Sequence, residues 1–429
     1  MLDSSTMSSL IPASQSFVPV ITGGDLGAYT LAREFHEAYQ VKSAIVPTAE
    51  NLVVGGSKIT HLYPAGPMFE PEHVVQHLGS VAQQLRGDGS RPLLLMPGYD
   101  HLVRIVIDHA QKLRAMGYVF PELTAEQLDR ASLKEEFYAL CDDLGIKYPK
   151  TATMDCSQGV QSVDGFVNSL TETGLEYPLI LKAGDGAAWA NTRFPGRRKV
   201  HFLYEPQQLA DVITHAINAG YRGSLIIQQF IPGPDSNLRI LTHFRDRTGQ
   251  NVLTGLAEVI VEDHAPGLEG NSRALVAVAD ETIEAQGARL MEALDWHGFG
   301  MFDIKIHETT GEAYFLEMNP RLGRHHYYLT VAGANPAEYL YRELIEETSH
   351  GQPRVIDGPA ASLTIPLKLA QHYAAPHQQS QLDAARRAKR IGWPLQYPKD
   401  RSIKRDLYQR YRLTKAANEV AHTPGTMNS

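Results

Sequence analysis

The sequence predicts an α/β chain, with an N-terminal α/β domain, a core of mixed α+β character and a basic C-terminal extension. Three observations carry this reading. Phe17 to Thr22 is an apolar run that enters Gly23-Gly24-Asp25-Leu26-Gly27, and a helical stretch follows from about Ala28 to Tyr39. Strand, glycine turn and helix in that order open an α/β unit. From Asn237 onward, alternating runs dominate and end in a two-stranded stretch from Gly298 to Arg324. Finally, Ala385 to Lys415 holds eleven Lys/Arg against Asp400 and Asp406, with Tyr397, Tyr408 and Tyr411 interleaved.

Length and composition bound the function. At 429 residues the chain exceeds what one core supports and implies two or three domains. A net charge of −8 gives no whole-chain case for nucleic acid as a partner. Only Cys141 and Cys156 are present, so a disulfide framework is not expected and a reducing, cytoplasmic setting is. The Ser-rich first residues lack an apolar signal region, and no run approaches the roughly 18 to 20 apolar residues of a membrane span.

In the N-terminal part, Ser43 to Pro47 and Arg91 to Met96 read as further strands. The glycines at 23–27 serve either a tight strand-to-helix turn or a phosphate, but they do not match GxGxxG. Asp100 follows Pro97-Gly98-Tyr99 at the carboxyl end of a strand, where ligands usually sit; a solvated loop acid is the competing reading. Near residue 125 the character changes. Thr124 and Ser132 are candidate N-caps, Ser132 to Glu135 matches a capping box, and a helix is expected from Lys134 to Leu144.

Tyr177 to Lys182 is a buried strand ending in lysine, and it runs into the small-residue loop Ala183 to Ala188, which contains Gly184 and Gly186. A point charge with free backbone N–H groups suits phosphate, although a plain surface loop fits the same residues. Glu205 to Ala219 is an amphipathic helix, followed by a strand from Ser224 to Ile231. Asn237 to His243 and Asn251 to Glu262 are expected strands, and Thr282 to Trp296 an expected helix.

The stretch from Gly298 to Arg324 carries the sharpest chemistry. Phe302, Ile304 and Ile306 alternate with Asp303, Lys305 and His307, and Tyr314, Leu316 and Met318 alternate with Phe315, Glu317 and Asn319. Side chains two apart share a face of a strand, so Glu317 and Asn319 point together. Pairing as a hairpin around Thr309 to Glu312 brings Asp303 to the same face. Three hard oxygen ligands in an incomplete cage suit Mg²⁺, or Mn²⁺, with room for phosphate oxygens. The alternative is a hairpin whose polar face meets water. Arg321, Arg324, His325 and His326 follow at once, as cations placed to clamp phosphate or carboxylate.

In this order the pieces resemble the ATP-grasp superfamily. The resemblance rests on Lys134 in SLKEEFY, Lys182 in YPLILKAGDG, QQFIPG from Gln228 to Gly233, Asp303, and FLEMNPR with Glu317, Asn319 and Arg321. It implies ATP held in a two-lobed cleft. Lys134 and Lys182 would meet its phosphates beneath the Gly184–Gly186 loop. Gln228, Gln229, Phe230 and Ile231 would form the strand facing adenine, and Asp235 would reach the ribose. Asp303, Glu317 and Asn319 would hold the metal. Gln229 stands where many members carry glutamate, which puts that contact in doubt.

Within the superfamily, KEEFYALCDDLGIKYPKT, GPDSNLRILTHF, VEDHAPGLEGNSRAL and WPLQYPKDRSIKRDLYQRYR are similar to carboxylate–amine ligases of the D-aspartate ligase type, over about residues 120 to 415. This likeness implies ATP-dependent activation of a carboxylate as an acyl phosphate, then attack by the side-chain amine of a peptidoglycan stem-peptide precursor. Arg239, Arg321, Lys182 and His325 would serve catalysis, with Arg273, Arg324, His326 and Asp100 as substrate contacts. The implied organisation is a start without order (1–15), a pre-ATP-grasp domain (16–124), the core (125–350, with a lid at about 150–230) and the extension (351–429). Partners would be an amino-acid carboxylate, an amine-bearing peptide and a second copy of the chain, and the basic tail itself reads either as a helix touching an anionic membrane surface or a phosphorylated substrate or as a solvated helix packed on its aromatic stripe. The competing readings are a ligase for other small substrates and an idle ATP-binding module. An oxidoreductase built on Gly23 to Gly27 ranks below both.

Overall fold

The computed structural model describes residues 11–12, 14–87, 89–184, 186–263 and 270–422. Most of the expected unordered start, Asp185 of the small-residue loop and His264 to Glu269 of VEDHAPGLEG lie outside these residues.

The N-terminal part is a parallel sheet in the spatial order Thr60–Leu62, Ser43–Val46, Val18–Thr22, Leu93–Met96, Tyr118–Val119. Its strands are almost wholly apolar because helices cover both faces. Strand order reverses beside Val18–Thr22, so the loops after it and after Leu93–Met96 border the usual ligand crevice. The glycines at 23–27 make the tight turn: Gly23 has φ +105° and donates to the Val46 carbonyl at 2.8 Å. Asp25 then caps the helix Leu26–Tyr39 through Ala28 N–H at 3.1 Å. Across the crevice Gly98 is required, since a Cβ there would lie 2.1 Å from the Thr22 carbonyl.

Two further sheets form the core. The larger runs Ala313–Asn319, Gly298–Ile306, Leu238–Arg245, Asn251–Glu262, Ser272–Val278, Ala361–Leu363, Ile391–Gly392, and Arg354–Ile356 pairs off Asn251–Glu262. The smaller is antiparallel, in the order Thr151–Asp155, Ser224–Gln229, Leu179–Ala183, Val200–Leu203. Helix Pro206–Asn218 packs Leu209, Ile213, Ala216 and Ile217 into its core, as the stripe predicts.

Four local expectations are corrected. Ser132 is the last residue of helix Ala125–Ser132, and extended Leu133 precedes helix Lys134–Asp143 with no side-chain cap. The capping box belongs to Thr124 and Gln127. A helix, Gly186–Asn191, begins inside the expected loop. Strand Ser224–Gln229 stops two residues early, ahead of Pro232. The stretch from 351 is not a mere extension, because Arg354–Ile356, Ala361–Leu363 and Ile391–Gly392 complete the larger sheet.

The basic tail is likewise anchored. Asp400 is fully buried and accepts from Tyr29 hydroxyl (2.7 Å), Ser57 hydroxyl (2.8 Å) and Lys58 N–H (2.6 Å), while Arg405 lies 3.1 Å away. Arg405 itself donates to the Gly55 carbonyl at 2.9 Å. Among the described residues, no helix is long and apolar enough to cross a membrane.

Candidate active site

The hairpin forms from strands Gly298–Ile306 and Ala313–Asn319, with Asp303 paired to Glu317 and Met301 to Asn319. Directly opposed residues of an antiparallel pair share a face. Asn319 Nδ2 donates to Asp303 Oδ2 at 3.0 Å, and Lys134 Nζ lies 3.1 Å from Glu317 Oε2. Phe302, Ile304, Phe315 and Met318 fill the other face against Trp296 and Phe137, and a register shift after Asp303 pairs Phe315 with Ile304, so Phe315 leaves the face of Glu317 that plain alternation gave it.

Electrostatics separate the two carboxyls. Burial, reinforced by Glu317, holds Asp303 well above the usual carboxylate range. Glu317 is held below it by Lys134, with help from Lys182. Burial pushes Lys182 down, although both acids draw it up. Two carboxylates and one amide oxygen, crowded together and answered by two lysines, is a donor set that fits Mg²⁺ or Mn²⁺ beside an anionic phosphate chain.

Lys134, Lys182, Glu317 and Asn319 line a cleft of about 1550 Å³ between the two core sheets, together with Gly184, Gln229 and Asp100, and Asp303 lies behind Asn319. Asp100 pairs with Arg321 at 2.8 Å, a contact joining the first residue of helix Asp100–Asp108 to the loop after the hairpin. Successive residues of a strand face opposite ways, which splits the Gln pair. Gln229 lines the cleft, and its Oε1 accepts from Lys150 N–H at 3.3 Å. Gln228 turns inward and donates to Tyr138 hydroxyl (2.8 Å) and Thr151 hydroxyl (3.0 Å).

Other expected residues do not join the cleft. Phe230 packs edge-on to Phe202 with ring centres 5.9 Å apart, and Ile231 is buried. Asp235 accepts from Glu262 N–H at 3.0 Å. Arg239 pairs with Ile304, on the face opposite Asp303, and its guanidinium is engaged by Glu258 at 3.3 Å and the Ser236 carbonyl at 2.7 Å. The structure does not bring Arg239 to the acids.

Beyond Arg321 the expected substrate contacts divide. His326 is buried between the Gly323 carbonyl (2.6 Å) and Glu34 Oε2 (2.9 Å), tying the core to helix Leu26–Tyr39. Arg324 meets Asn271 Oδ1 at 2.8 Å, and Arg273 meets Asp263 and Glu419. His325 lies beside both arginines, and burial followed by their charge pushes it well below its ordinary value. Arg273, Arg324 and His325 line a second cavity at the C-terminal helix, Ile403–His422.

Lys150 and Tyr138 also line the cleft, and neither stood out in the sequence. Both sit within KEEFYALCDDLGIKYPKT. Tyr138 stacks on Tyr148 at 4.4 Å and donates to the Leu316 carbonyl at 2.8 Å, fixing the hairpin's second strand. Only the pairing of Gln229 with Lys150 reveals the lysine's position.

The fold is the ATP-grasp fold, and the proteins this chain resembles include ligases that form carbon–nitrogen bonds. Among curated proteins, the chain is 27% identical over 411 residues to the D-aspartate ligase of Enterococcus faecium (strain Aus0004), covering 93% of this chain and 94% of that one. Its fold is shared with an L-amino acid ligase from Bacillus licheniformis (TM-score 0.55, 14% identity, 80% of this chain and 78% of that one). It is shared equally with a carboxyaminoimidazole ribonucleotide synthase from Aspergillus clavatus solved in complex with ATP (TM-score 0.55, 14% identity, 81% of each chain). No protein-family model matches the chain.

Proposed function

We propose that this ATP-dependent carboxylate–amine ligase adds D-aspartate to the side-chain amine of a peptidoglycan stem-peptide precursor in the cytoplasm. The single observation supporting the chemistry is the Asp303–Glu317–Asn319 face, set against Lys134 and Lys182 in one cleft. The D-aspartate assignment draws its support from likeness along nearly the whole chain to an enzyme of that name.

ATP with its divalent ion supplies the phosphoryl group that makes a carboxylate electrophilic. Asp303, Glu317 and Asn319 would hold the ion, and Lys134 and Lys182 the phosphates. What the chain contributes is placement and charge balance. Lys134 keeps Glu317 ionised, so at least one carboxylate is ready to bind a cation without first losing a proton. Tyr138 fixes the strand that carries Glu317, and Gln228 fixes Tyr138 in turn. Gln229 and Lys150 form the cleft wall where the resemblance implies the base, and Gly184 lets backbone approach the phosphates. Arg321, paired with Asp100, sits where a fork of N–H groups can receive a carboxylate. His326, locked onto Glu34, has a positioning role rather than a part in proton transfer.

The experiment is ADP release by the purified chain with Mg²⁺ and a panel of D- and L-amino acids, each with and without an L-Lys-containing stem peptide. Release that requires both D-aspartate and the peptide, with the amide product seen by mass spectrometry, supports the proposal. Release with a different pair keeps the ligase and discards D-aspartate.

A further inference from the structure

The cavity under the C-terminal helix has a volume of about 240 Å³, below the roughly 300–1000 Å³ of drug-sized sites, so its occupant is small. Three guanidinium groups converge on it: Arg273 from a core strand, Arg324 from the loop after the hairpin, and Arg412 from helix Ile403–His422. Arg324 feels the other two as like charges. Arg273 is answered by Asp263 and Glu419, and Arg324 by Asn271 with a more distant Asp25 at 3.8 Å. Arg412 has no ion pair among the described residues.

Orphaned atoms make the same point. Among the described residues, Arg273 Nε, Arg324 Nε, His325 Nε2 and Gln409 Nε2 are buried and have no hydrogen-bond partner, nor does Asp263 Oδ1. A native interior leaves few such groups unpaired, and each costs about 1–3 kcal/mol when it does. Five around one small cavity, four of them nitrogens, call for an occupant rich in acceptor oxygens and carrying a group for Asp263. An acidic amino acid has two carboxylates for the arginines and one ammonium for the acid.

We propose that this cavity binds the acidic amino-acid substrate, and that Arg412 makes the C-terminal helix a specificity element of the ligase. The inference rests on the ligase reading above. The hairpin's end at Asn319 and Arg324 of the cavity are joined by the short loop that carries Arg321, so the chain passes from the acids into the cavity wall within five residues. Anchoring through Asp400 and Arg405 gives the helix the fixed position this role requires.

The test uses the full chain with ADP and Mg²⁺, titrated calorimetrically with D-aspartate, succinate and D-alanine, together with steady-state kinetics. D-aspartate binds, and succinate binds more tightly than D-alanine. Arg412→Gln raises the KM for D-aspartate about tenfold or more with the KM for ATP unchanged. Arg412→Lys recovers part of the loss, and Lys404→Gln, on the exposed face of the same helix, changes neither constant. Thermal unfolding checks that each variant is folded. If folded Arg412→Gln keeps the wild-type affinity and KM for D-aspartate, the inference falls and the proposed function stands. If another acidic amino acid proves to be the substrate and its KM rises in Arg412→Gln, the cavity assignment holds and the D-aspartate reading falls. If the wild type binds no acidic amino acid and no succinate, the inference is overturned.

Discussion

Lys134 Nζ lies 3.1 Å from Glu317 Oε2, joining residues 183 positions apart across the floor of the cleft. The lysine opens helix Lys134–Asp143 and the glutamate lies two residues before the end of a strand of the larger sheet, so each holds the other's side chain in place. Replacing Lys134 with Met removes a charge that the phosphates need and leaves Glu317 uncompensated. Turnover is expected to fall about 10²-fold or more, the scale of losing one preorganised electrostatic contact. Apparent ATP affinity falls with it. ADP release and equilibrium nucleotide binding check the two effects, and a wild-type ATP affinity in the variant contradicts the assignment.

The two adjacent glutamines should separate cleanly. Gln229→Ala acts on the cleft wall and is expected to raise the KM for ATP with little change in stability. Gln228→Ala leaves Tyr138 and Thr151 hydroxyls without their shared donor, which destabilises the fold by about 1–3 kcal/mol. Its KM for ATP should move less than that of Gln229→Ala. Chemical denaturation and steady-state kinetics on both variants decide this, and a reversed order contradicts the placement of the strand.

Stability should depend on pH through His326. Burial opposes its cation, but the Glu34 carboxylate and its hydrogen bond outweigh that, so His326 titrates above its ordinary value. A folded pKa raised above the unfolded one stabilises fully below about pH 6.5, and the gain disappears as pH rises through the folded value. The Tm difference between wild type and Glu34→Gln is therefore expected to be largest near pH 6 and to shrink at higher pH. A difference that is flat with pH contradicts the ion pair.

The tail should be integral to folding. Asp400→Ala strips three donors of their acceptor and leaves buried Arg405 without its counter-charge. Loss of one member of a buried pair costs about 3–5 kcal/mol. A large drop in the denaturation midpoint is expected, with the N-terminal part and the tail helix losing protection from hydrogen exchange together.

These cases show which features a single sequence reveals. The Asp303–Glu317–Asn319 face was legible because strand alternation is local: Glu317 and Asn319 are two residues apart, and a short turn brings Asp303 opposite. Lys182 was legible as a charge at the end of a strand. Arg239 was not, because which face it takes depends on its register against Ile304, a partner far along the chain. The same holds for the tail. A run of lysine and arginine reads as a solvated or membrane-facing helix, and only the fold places Arg405 over the Tyr29 ring and Arg412 in the wall of one cavity with Arg324. Gln228 and Gln229 are identical letters, and their different fates follow from the strand's pleat.

The most direct test of the central claim is ADP formation by wild type and Glu317→Ala, with ATP, Mg²⁺, D-aspartate and an L-Lys-containing stem peptide. The expected result is ADP and amide product in equal amounts from the wild type, dependence on both substrates, and loss of turnover in a folded Glu317→Ala. Full turnover in Glu317→Ala, or ADP release that needs neither the carboxylate nor the amine, would contradict it.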